Sequence, residues 1–168
     1  MPSFLPSQPR RQENENYRTN LPISLKTKED AYREFLTESD DATIALGRRL
    51  AAEVRAPLVI LLMGEMGAGK TTFSKGLISG LHAAKEEEVT SPTFTLVHQY
   101  GKVFHIDLYR IEPGRDFETL GLDDVYDQNA VILVQWGEKA AGRFPGPRWE
   151  IHFEDLGGDR RRIQLEEF

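Results

Sequence analysis

The spacing of apolar positions along the chain predicts a helix followed by a buried strand. Over residues 39–54, apolar positions recur near helical spacing, and three residues that favour helix starts precede them. Pro57 ends that register, and residues 58–63 form a continuous apolar run. Such a run is typical of a strand that is buried on both faces. Because a strand of this kind needs helices on each side of its sheet, the pattern predicts an α/β fold.

The second half of the pattern adds another helix and several strands. Beyond a glycine-rich stretch at 64–69, apolar residues at every fourth position over 73–81 predict the helix. The predicted strands are 94–99, 102–111, 130–136, 149–153 and 162–165. The first two are expected to form a hairpin around Tyr100 and Gly101, and the last two a hairpin turned at Gly157 and Gly158. The acidic stretch 112–127 is expected to be loop and short helix. The sheet is therefore predicted to be mixed, with parallel and antiparallel strands.

Length, cysteine content and net charge exclude several classes of protein. The chain has 168 residues, which suffice for one domain but not for a cofactor domain plus a separate substrate domain. It has no cysteine, which excludes disulfide frameworks, cysteine-ligated metals and thiol nucleophiles. The net charge of −6 argues against a broad basic surface for nucleic acid. We expect a cytoplasmic protein with no membrane segment, because neither a signal-peptide core nor an apolar run of about 18 residues is present.

Two parts of the chain differ in composition. Residues 1–20 are rich in Pro, Gln, Asn and Arg and have few large hydrophobic side chains. They bury too little apolar surface to offset the entropy of ordering. We therefore expect a flexible N-terminal extension over residues 1–30 and a single domain over residues 31–168.

One motif carries the chemistry. Residues 64–71 are G-E-M-G-A-G-K-T, which matches the phosphate-binding pattern G-x-x-x-x-G-K-[ST] between a predicted buried strand and a predicted helix. Glycines let backbone N–H groups surround phosphate oxygens, and the helix N-terminus adds more unpaired N–H groups. Lys70 is expected to reach the β- and γ-phosphates, and Thr71 to ligate Mg²⁺. The motif predicts a three-layer P-loop NTPase-like α/β fold. ATP is preferred over GTP because no N-K-x-D motif follows.

Three segments together resemble a known family. They are G-E-M-G-A-G-K-T-T-F at 64–73, T-S-P-T-F-T-L-V at 90–97 and H-I-D-L-Y-R at 105–110. In this order they are similar to the TsaE family, the bacterial ATPase subunit of tRNA threonylcarbamoyladenosine biosynthesis. The resemblance implies slow hydrolysis of Mg-ATP in support of two partner subunits, a threonylcarbamoyl transferase of the TsaD type and its TsaB-type companion. These partners would modify the adenosine beside the anticodon, so this chain would contact tRNA only indirectly.

The resemblance also implies roles for individual residues. Asp107 is similar to the family's essential acid and is expected, with Lys70, to be catalytic. The expected metal ligands are Thr71, Asp107 and Gln135. The positions expected to bind the nucleotide are Asp40, Met66, Gly67, Ala68, Gly69, Lys70, Thr71, Thr72, Asp159 and Arg160.

One position departs from the family pattern. Where the family usually has Glu before a Trp, this chain has Gln135 before Trp136. A neutral amide can accept a water or metal contact but adds no charge. We therefore expect weaker metal binding or slower hydrolysis than a glutamate would give.

Several side chains near the motif keep a second interpretation. His105 shares a strand face with Asp107 by alternation, but a structural histidine is the alternative. The hydroxyls of residues 90–95 suit a segment that orders around the γ-phosphate, or a simple strand entry. The arginines at 160–162 are typical of a solvated edge, with phosphate or tRNA contact as the alternative.

Two other functions use the same loop. A small-molecule kinase would transfer the γ-phosphate to a bound acceptor, although the sequence has no evident lid or acceptor-binding segment. A nucleotide-gated binding module would hydrolyse little, and the neutral Gln135 fits that alternative. The sequence leaves both open.

Overall fold

The structure is a computed structural model that describes residues 31–112, 117–140, 142–144 and 146–168. The strands are β1 (Tyr32–Thr37), β2 (Leu58–Met63), β3 (Val97–Tyr100), β4 (Val103–Asp107), β5 (Val131–Gln135), β6 (Arg148–Gly157) and β7 (Arg160–Glu167). The helices are α1 (Asp40–Ala51), α2 (Lys70–Gly80) and α3 (Leu122–Tyr126), with 3₁₀ turns at Glu86–Glu88, Glu118–Leu120 and Gly137–Ala140. The predicted extension over residues 1–30 lies outside the described residues, so that division of the chain stays a prediction.

The described strands form one sheet in the order β1-β7-β6-β2-β5-β4-β3. The four central strands β6, β2, β5 and β4 are parallel, whereas β3, β7 and β1 run antiparallel to their neighbours. The prediction of a mixed sheet is confirmed. Because the central strands are parallel, their carboxyl ends meet at one edge of the sheet, which is where open α/β sheets bind ligands.

The core lies on both faces of the sheet. Alternate residues of β2 point to opposite sides, and all six are buried. Ile60 packs in a cluster with Leu50 of α1 and Phe73 of α2. Leu61 belongs to a second cluster, which includes Leu122 of α3. This arrangement confirms the prediction of helices on both sides of a buried strand and gives the fold its three layers.

The predicted helices are present with somewhat different bounds. α1 begins where predicted, because the Ser39 hydroxyl accepts a hydrogen bond from the Ala42 amide at 3.1 Å. It ends at Ala51, three residues before the predicted end. The second helix starts at Lys70, directly at the end of the glycine-rich loop. None of the helices in the described ranges combines the length and the apolar character that a membrane-spanning helix needs.

Two strand predictions were too long. The strand predicted at 94–99 starts only at Val97, because residues 92–96 form a turn in which the Leu96 amide donates to the Pro92 oxygen at 2.7 Å. The strand predicted at 102–111 ends at Asp107, where the Asp107 carboxylate accepts from the Tyr109 amide at 2.8 Å. A side chain that accepts a hydrogen bond from a nearby backbone amide competes with the ladder between strands, so the strand ends there.

The edge strand β1 was not predicted. Its residues are Y-R-E-F-L-T, in which apolar and polar positions do not alternate cleanly. The strand is held by its antiparallel pairing with β7, more than 120 residues away in the chain. Elsewhere β7 pairs with β6 as predicted, but their turn lies at Gly158 and Asp159 rather than at Gly157 and Gly158.

Candidate functional site

The phosphate loop joins β2 to α2 at the carboxyl edge of the sheet. Gly64, Gly67 and Gly69 have φ angles of +142°, +80° and +106°, which side-chain-bearing residues rarely adopt. Gly64 also lies against β6, where a Cβ atom would come within 2.6 Å of the Phe153 backbone oxygen. Gly69 caps α2 without a side-chain hydrogen bond, so the first amides of the helix stay available to an anion.

Lys70 is a buried cation inside this loop. Only 5% of the residue is exposed, and its Nζ donates to the backbone oxygens of Gly64 and Glu65, the latter at 2.8 Å. The ammonium also lies 4.3 Å from the centre of the Trp136 ring. Burial lowers the pKa of Lys70 below its usual value, and the nearby acids, Glu138 first, oppose this shift. A phosphate beside the ammonium would favour its charged form.

Thr71 touches the residue that departs from the family pattern. Its hydroxyl lies 3.2 Å from Oε1 and 3.0 Å from Nε2 of Gln135. Gln135 in turn contacts the ring of His105, with 2.8 Å between the two Nε2 atoms. Burial, followed by the neighbouring His98, lowers the pKa of His105 to about 4, so His105 is neutral at pH 7. The amide of Gln135 is therefore fixed between the loop hydroxyl and a neutral ring.

Asp107 closes the opposite side of the site. Its carboxylate is 2% exposed and accepts hydrogen bonds at Oδ2 from Ser91 Oγ at 3.0 Å and from Thr93 Oγ1 at 2.8 Å. The remaining oxygen, Oδ1, accepts the Tyr109 amide. The carboxylate thus holds the hydroxyl-rich segment 91–93 against the site. His105 and Asp107 lie on a strand whose five residues are all buried.

These groups surround one cavity of about 270 Å³. Its lining residues are Met66, Gly67, Gly69, Lys70, Thr71, Thr72, Ser91, Thr93, Asp107, Tyr109, Gln135 and Trp136. The structure thereby brings together most of the site residues predicted from sequence. Ala68 is buried within the loop and does not line the cavity.

The other three predicted nucleotide contacts lie outside this cavity. Asp40 is an exposed residue of the first turn of α1. Asp159 lies in the turn between β6 and β7, Arg160 is the first residue of β7, and both are exposed. Their roles stay predictions. Of the arginines expected at a solvated edge, Arg160 is exposed, whereas Arg161 is only 7% exposed, so that expectation is wrong for Arg161.

Sequence reasoning left four lining residues out of the predicted site. Ser91 and Thr93 belong to the hydroxyl-rich segment 90–95, and their hydrogen bonds to Asp107 place them in the site. Tyr109 and Trp136 both line the cavity, and their ring centres lie 5.1 Å apart with the ring planes tilted by 40°. Trp136 has a φ angle of +60°, which no sequence signal could have indicated.

The donor set fits a nucleotide with Mg²⁺. The described residues contain no group of three or more His, Cys, Asp or Glu side chains that could hold a metal by themselves. Mg²⁺ usually needs only one or two carboxylates, because it keeps waters and binds the phosphates of its substrate. Asp107, Thr71 and Gln135 offer one carboxylate, one hydroxyl and one amide oxygen around the same cavity.

The central parallel strands, the glycine loop and the buried lysine define a P-loop nucleotide-binding protein. The sequence profile described as threonylcarbamoyl adenosine biosynthesis protein TsaE matches residues 37–163. The chain therefore belongs to the TsaE family, and the resemblance found in its motifs is confirmed.

Similar proteins from other bacteria carry the name of the same family. The tRNA threonylcarbamoyladenosine biosynthesis protein TsaE of Bacillus subtilis is 36% identical over 131 residues, which are 76% of this chain and 80% of that protein. The protein of the same name from Haemophilus influenzae is 35% identical over 112 residues, 64% of this chain and 69% of that one. A crystal structure of Bacillus subtilis YdiB superposes with a TM-score of 0.65 at 29% identity and covers 81% of this chain and 85% of that chain.

Proposed function

We propose that this protein binds ATP with Mg²⁺ and hydrolyses it slowly, in support of the complex that forms threonylcarbamoyladenosine beside the tRNA anticodon. The proposed partners are a threonylcarbamoyl transferase of the TsaD type and its TsaB-type companion, and tRNA is contacted through them. The observation that carries the proposal is a single cavity in which a phosphate loop faces a buried carboxylate. The family names support the pathway.

Binding is assigned to the loop side of the cavity. The positive φ angles of Gly67 and Gly69 direct backbone N–H groups toward phosphate oxygens, and the N-terminus of α2 adds its unpaired amides. Lys70 exchanges its contacts with the loop's own carbonyl oxygens for contacts with phosphate oxygens. Since both carbonyl groups belong to the loop, this exchange needs only a small movement of the ammonium.

Hydrolysis is assigned to the opposite side. Mg²⁺ bound there would neutralise charge on the phosphates, with Thr71, Gln135 and Asp107 as the oxygen donors on this chain. Asp107 also orients the attacking water, directly or through the hydroxyls of Ser91 and Thr93 that it holds. Two features favour slow turnover by the chain alone. Gln135 brings no charge to the metal, and Asp107 is already occupied by three donors of its own chain.

The neutral Gln135 also favours a second candidate function, a nucleotide-gated binding module that hydrolyses little. Its amide contacts the Thr71 hydroxyl at the position where a carboxylate would attract the metal. In this function the nucleotide would control partner binding and its hydrolysis would contribute nothing.

A pull-down with phosphate release measured on the same samples distinguishes these functions. The tagged chain is mixed with the transferase and its companion, with ATP, with ADP and without nucleotide. We expect capture of both partners and more phosphate release in their presence. Nucleotide-dependent capture without phosphate release would support the binding module instead. Fast release that is indifferent to the partners, or transfer of phosphate to a small acceptor, would contradict the accessory role and favour a kinase.

A further inference from the structure

His105 is a buried polar side chain to which the proposed function gives no role. It is fully buried on β4, two residues before Asp107. Its Nε2 atom lies 2.8 Å from Nε2 of Gln135 on the neighbouring strand β5. Its Nδ1 atom is buried and has no hydrogen-bond partner among the described residues. A buried ring whose side-chain hydrogen bond goes to a proposed metal ligand calls for an explanation beyond packing.

The contact between these two side chains fixes the tautomer of the ring. It joins two nitrogen atoms, so one of them must donate and the other must accept. The nitrogen of an amide group can only donate, whereas an imidazole nitrogen accepts when it carries no proton. The ring of His105 therefore accepts at Nε2 and carries its proton at Nδ1. A proton on Nε2 would set two donors against each other at 2.8 Å.

The hydrogen-bond partners of the amide support the same orientation. Gln135 is only 3% exposed, so its two N–H groups need acceptors within the protein. Nε2 has two of them, the ring of His105 at 2.8 Å and the hydroxyl of Thr71 at 3.0 Å. In a reversed amide, the nitrogen would take the place of Oε1, whose partner among the described residues is the Thr71 hydroxyl at 3.2 Å. One buried N–H group would then lack an acceptor, which is costly.

The orientation of the amide decides what Gln135 offers to a cation. As it stands, Oε1 contacts the Thr71 hydroxyl, and both side chains line the cavity. Mg²⁺ binds oxygen atoms, so the reversed amide would present N–H groups to a cation that they repel. A carboxylate has two equivalent oxygens and offers one in either orientation. A glutamine at this position therefore needs a neighbour that selects its orientation.

We propose that His105 is a positioning residue, whose Nε2 atom accepts a hydrogen bond from the Gln135 amide and so keeps Oε1 of Gln135 available to Mg²⁺. This inference rests on the proposed binding of Mg-ATP at the phosphate loop. Hydrogen-bond partners that orient a metal ligand typically change metal affinity or activity by about 10- to 100-fold when they are removed.

His98 provides a contrast and a matched control. It is the residue of β3 that pairs with His105 across the sheet. Its Nδ1 atom lies 3.4 Å from the hydroxyl of Tyr100, and the residue does not line the cavity. Loss of its ring therefore removes a neighbouring histidine without touching the amide of Gln135.

The test measures how nucleotide binding depends on Mg²⁺. The full chain is titrated in a calorimeter with a non-hydrolysable ATP analogue at several Mg²⁺ concentrations. His105→Leu removes the acceptor, and His105→Gln keeps an acceptor oxygen close to the position of Nε2. We expect His105→Leu to raise the Mg²⁺ concentration for half-maximal effect by about tenfold, and His105→Gln to restore most of this loss. His98→Leu should match the wild type, and binding without Mg²⁺ should stay the same in all variants.

A second substitution separates positioning from a structural role. Gln135→Ala has no amide to orient, so His105→Leu should not change the Mg²⁺ dependence further in that background. An equal loss in both backgrounds would show that the ring acts through packing, and would contradict the inference. Wild-type Mg²⁺ dependence in His105→Leu would contradict it as well.

The tautomer can be measured without any variant. In wild-type protein labelled with ¹⁵N-histidine, His105 is identified among the four histidines by its proximity to the Gln135 side-chain amide. We expect a proton on Nδ1 and none on Nε2. A proton on Nε2 would mean that the ring donates to Oε1, which overturns the inference. If the wild type showed no Mg²⁺-dependent nucleotide binding, the proposed function and this inference would fail together, whereas Mg²⁺-dependent binding that ignores His105 refutes this inference alone.

Discussion

The two sides of the cavity are built in different ways. The loop wall, residues 64–72, is one contiguous segment between β2 and α2. The carboxylate wall, formed by Ser91, Thr93, Asp107 and Gln135, comes from three separate segments. The sheet register joins them, since Asp107 pairs with Gln135 and Gln135 pairs with Leu62, the residue two before Gly64. Local geometry thus creates the binding half of the site, and long-range strand pairing creates the half assigned to turnover.

This difference predicts that the two walls can be disabled separately. A change in the loop wall should abolish binding and therefore turnover. A change in the carboxylate wall should reduce turnover while binding persists. The predictions below start with the largest expected effect.

Lys70→Ala should lower nucleotide affinity by about 100-fold or more, because it removes the only cationic side chain of residues 64–72, which lines the cavity where we propose that the phosphates bind. Titration calorimetry with ATP and ADP measures this loss. Lys75→Ala, one turn further along α2, is the matched control and should bind normally. Retained affinity in Lys70→Ala would contradict the assignment of the loop.

Asp107→Asn should spare binding and slow phosphate release by about 100-fold or more, a range typical for loss of a residue that moves or orients a proton. The amide keeps the volume of the carboxylate and can still hydrogen-bond Ser91 and Thr93, so the wall stays in place while its charge is lost. Asp123→Asn on the exposed face of α3 serves as the control. If turnover survived in Asp107→Asn, the catalytic role would be wrong.

Gln135→Glu should strengthen Mg²⁺ binding by about tenfold and raise the rate of phosphate release, because it places a charge beside the Thr71 hydroxyl. The measurement is the Mg²⁺ concentration that gives half-maximal release, together with ATP affinity at several Mg²⁺ concentrations. Gln128→Glu, at an exposed position, controls for the change in net charge. An unchanged Mg²⁺ dependence would mean that Gln135 does not face the metal.

The loop wall and its flanking elements could be predicted from the sequence. The bounds of β2 and the start of α1 were correct because the signals are local: a continuous apolar run in one case and a capping serine in the other. The phosphate loop was identified for the same reason. Its glycines and its lysine are neighbours in the chain, so their spacing alone specifies the geometry.

The carboxylate wall could be predicted only in part. Asp107 and Gln135 were identified through the family resemblance, but the hydrogen bonds that tie Ser91 and Thr93 to Asp107 depend on the turn at 92–96, which was expected to include a strand. The burial of Arg161 was not predicted, because Arg161 lies opposite Thr37 of β1, a strand that has no clear apolar pattern of its own. Contacts set by distant strands leave no local signal.

Phosphate release from ATP by the chain alone and by the chain with the transferase and its companion tests the central claim most directly. We expect slow release by the chain alone, clear stimulation by the two partners together, and no stimulation when Lys70→Ala replaces the wild type. Release that is equally fast with and without the partners, or stimulation that persists in Lys70→Ala, would contradict the account.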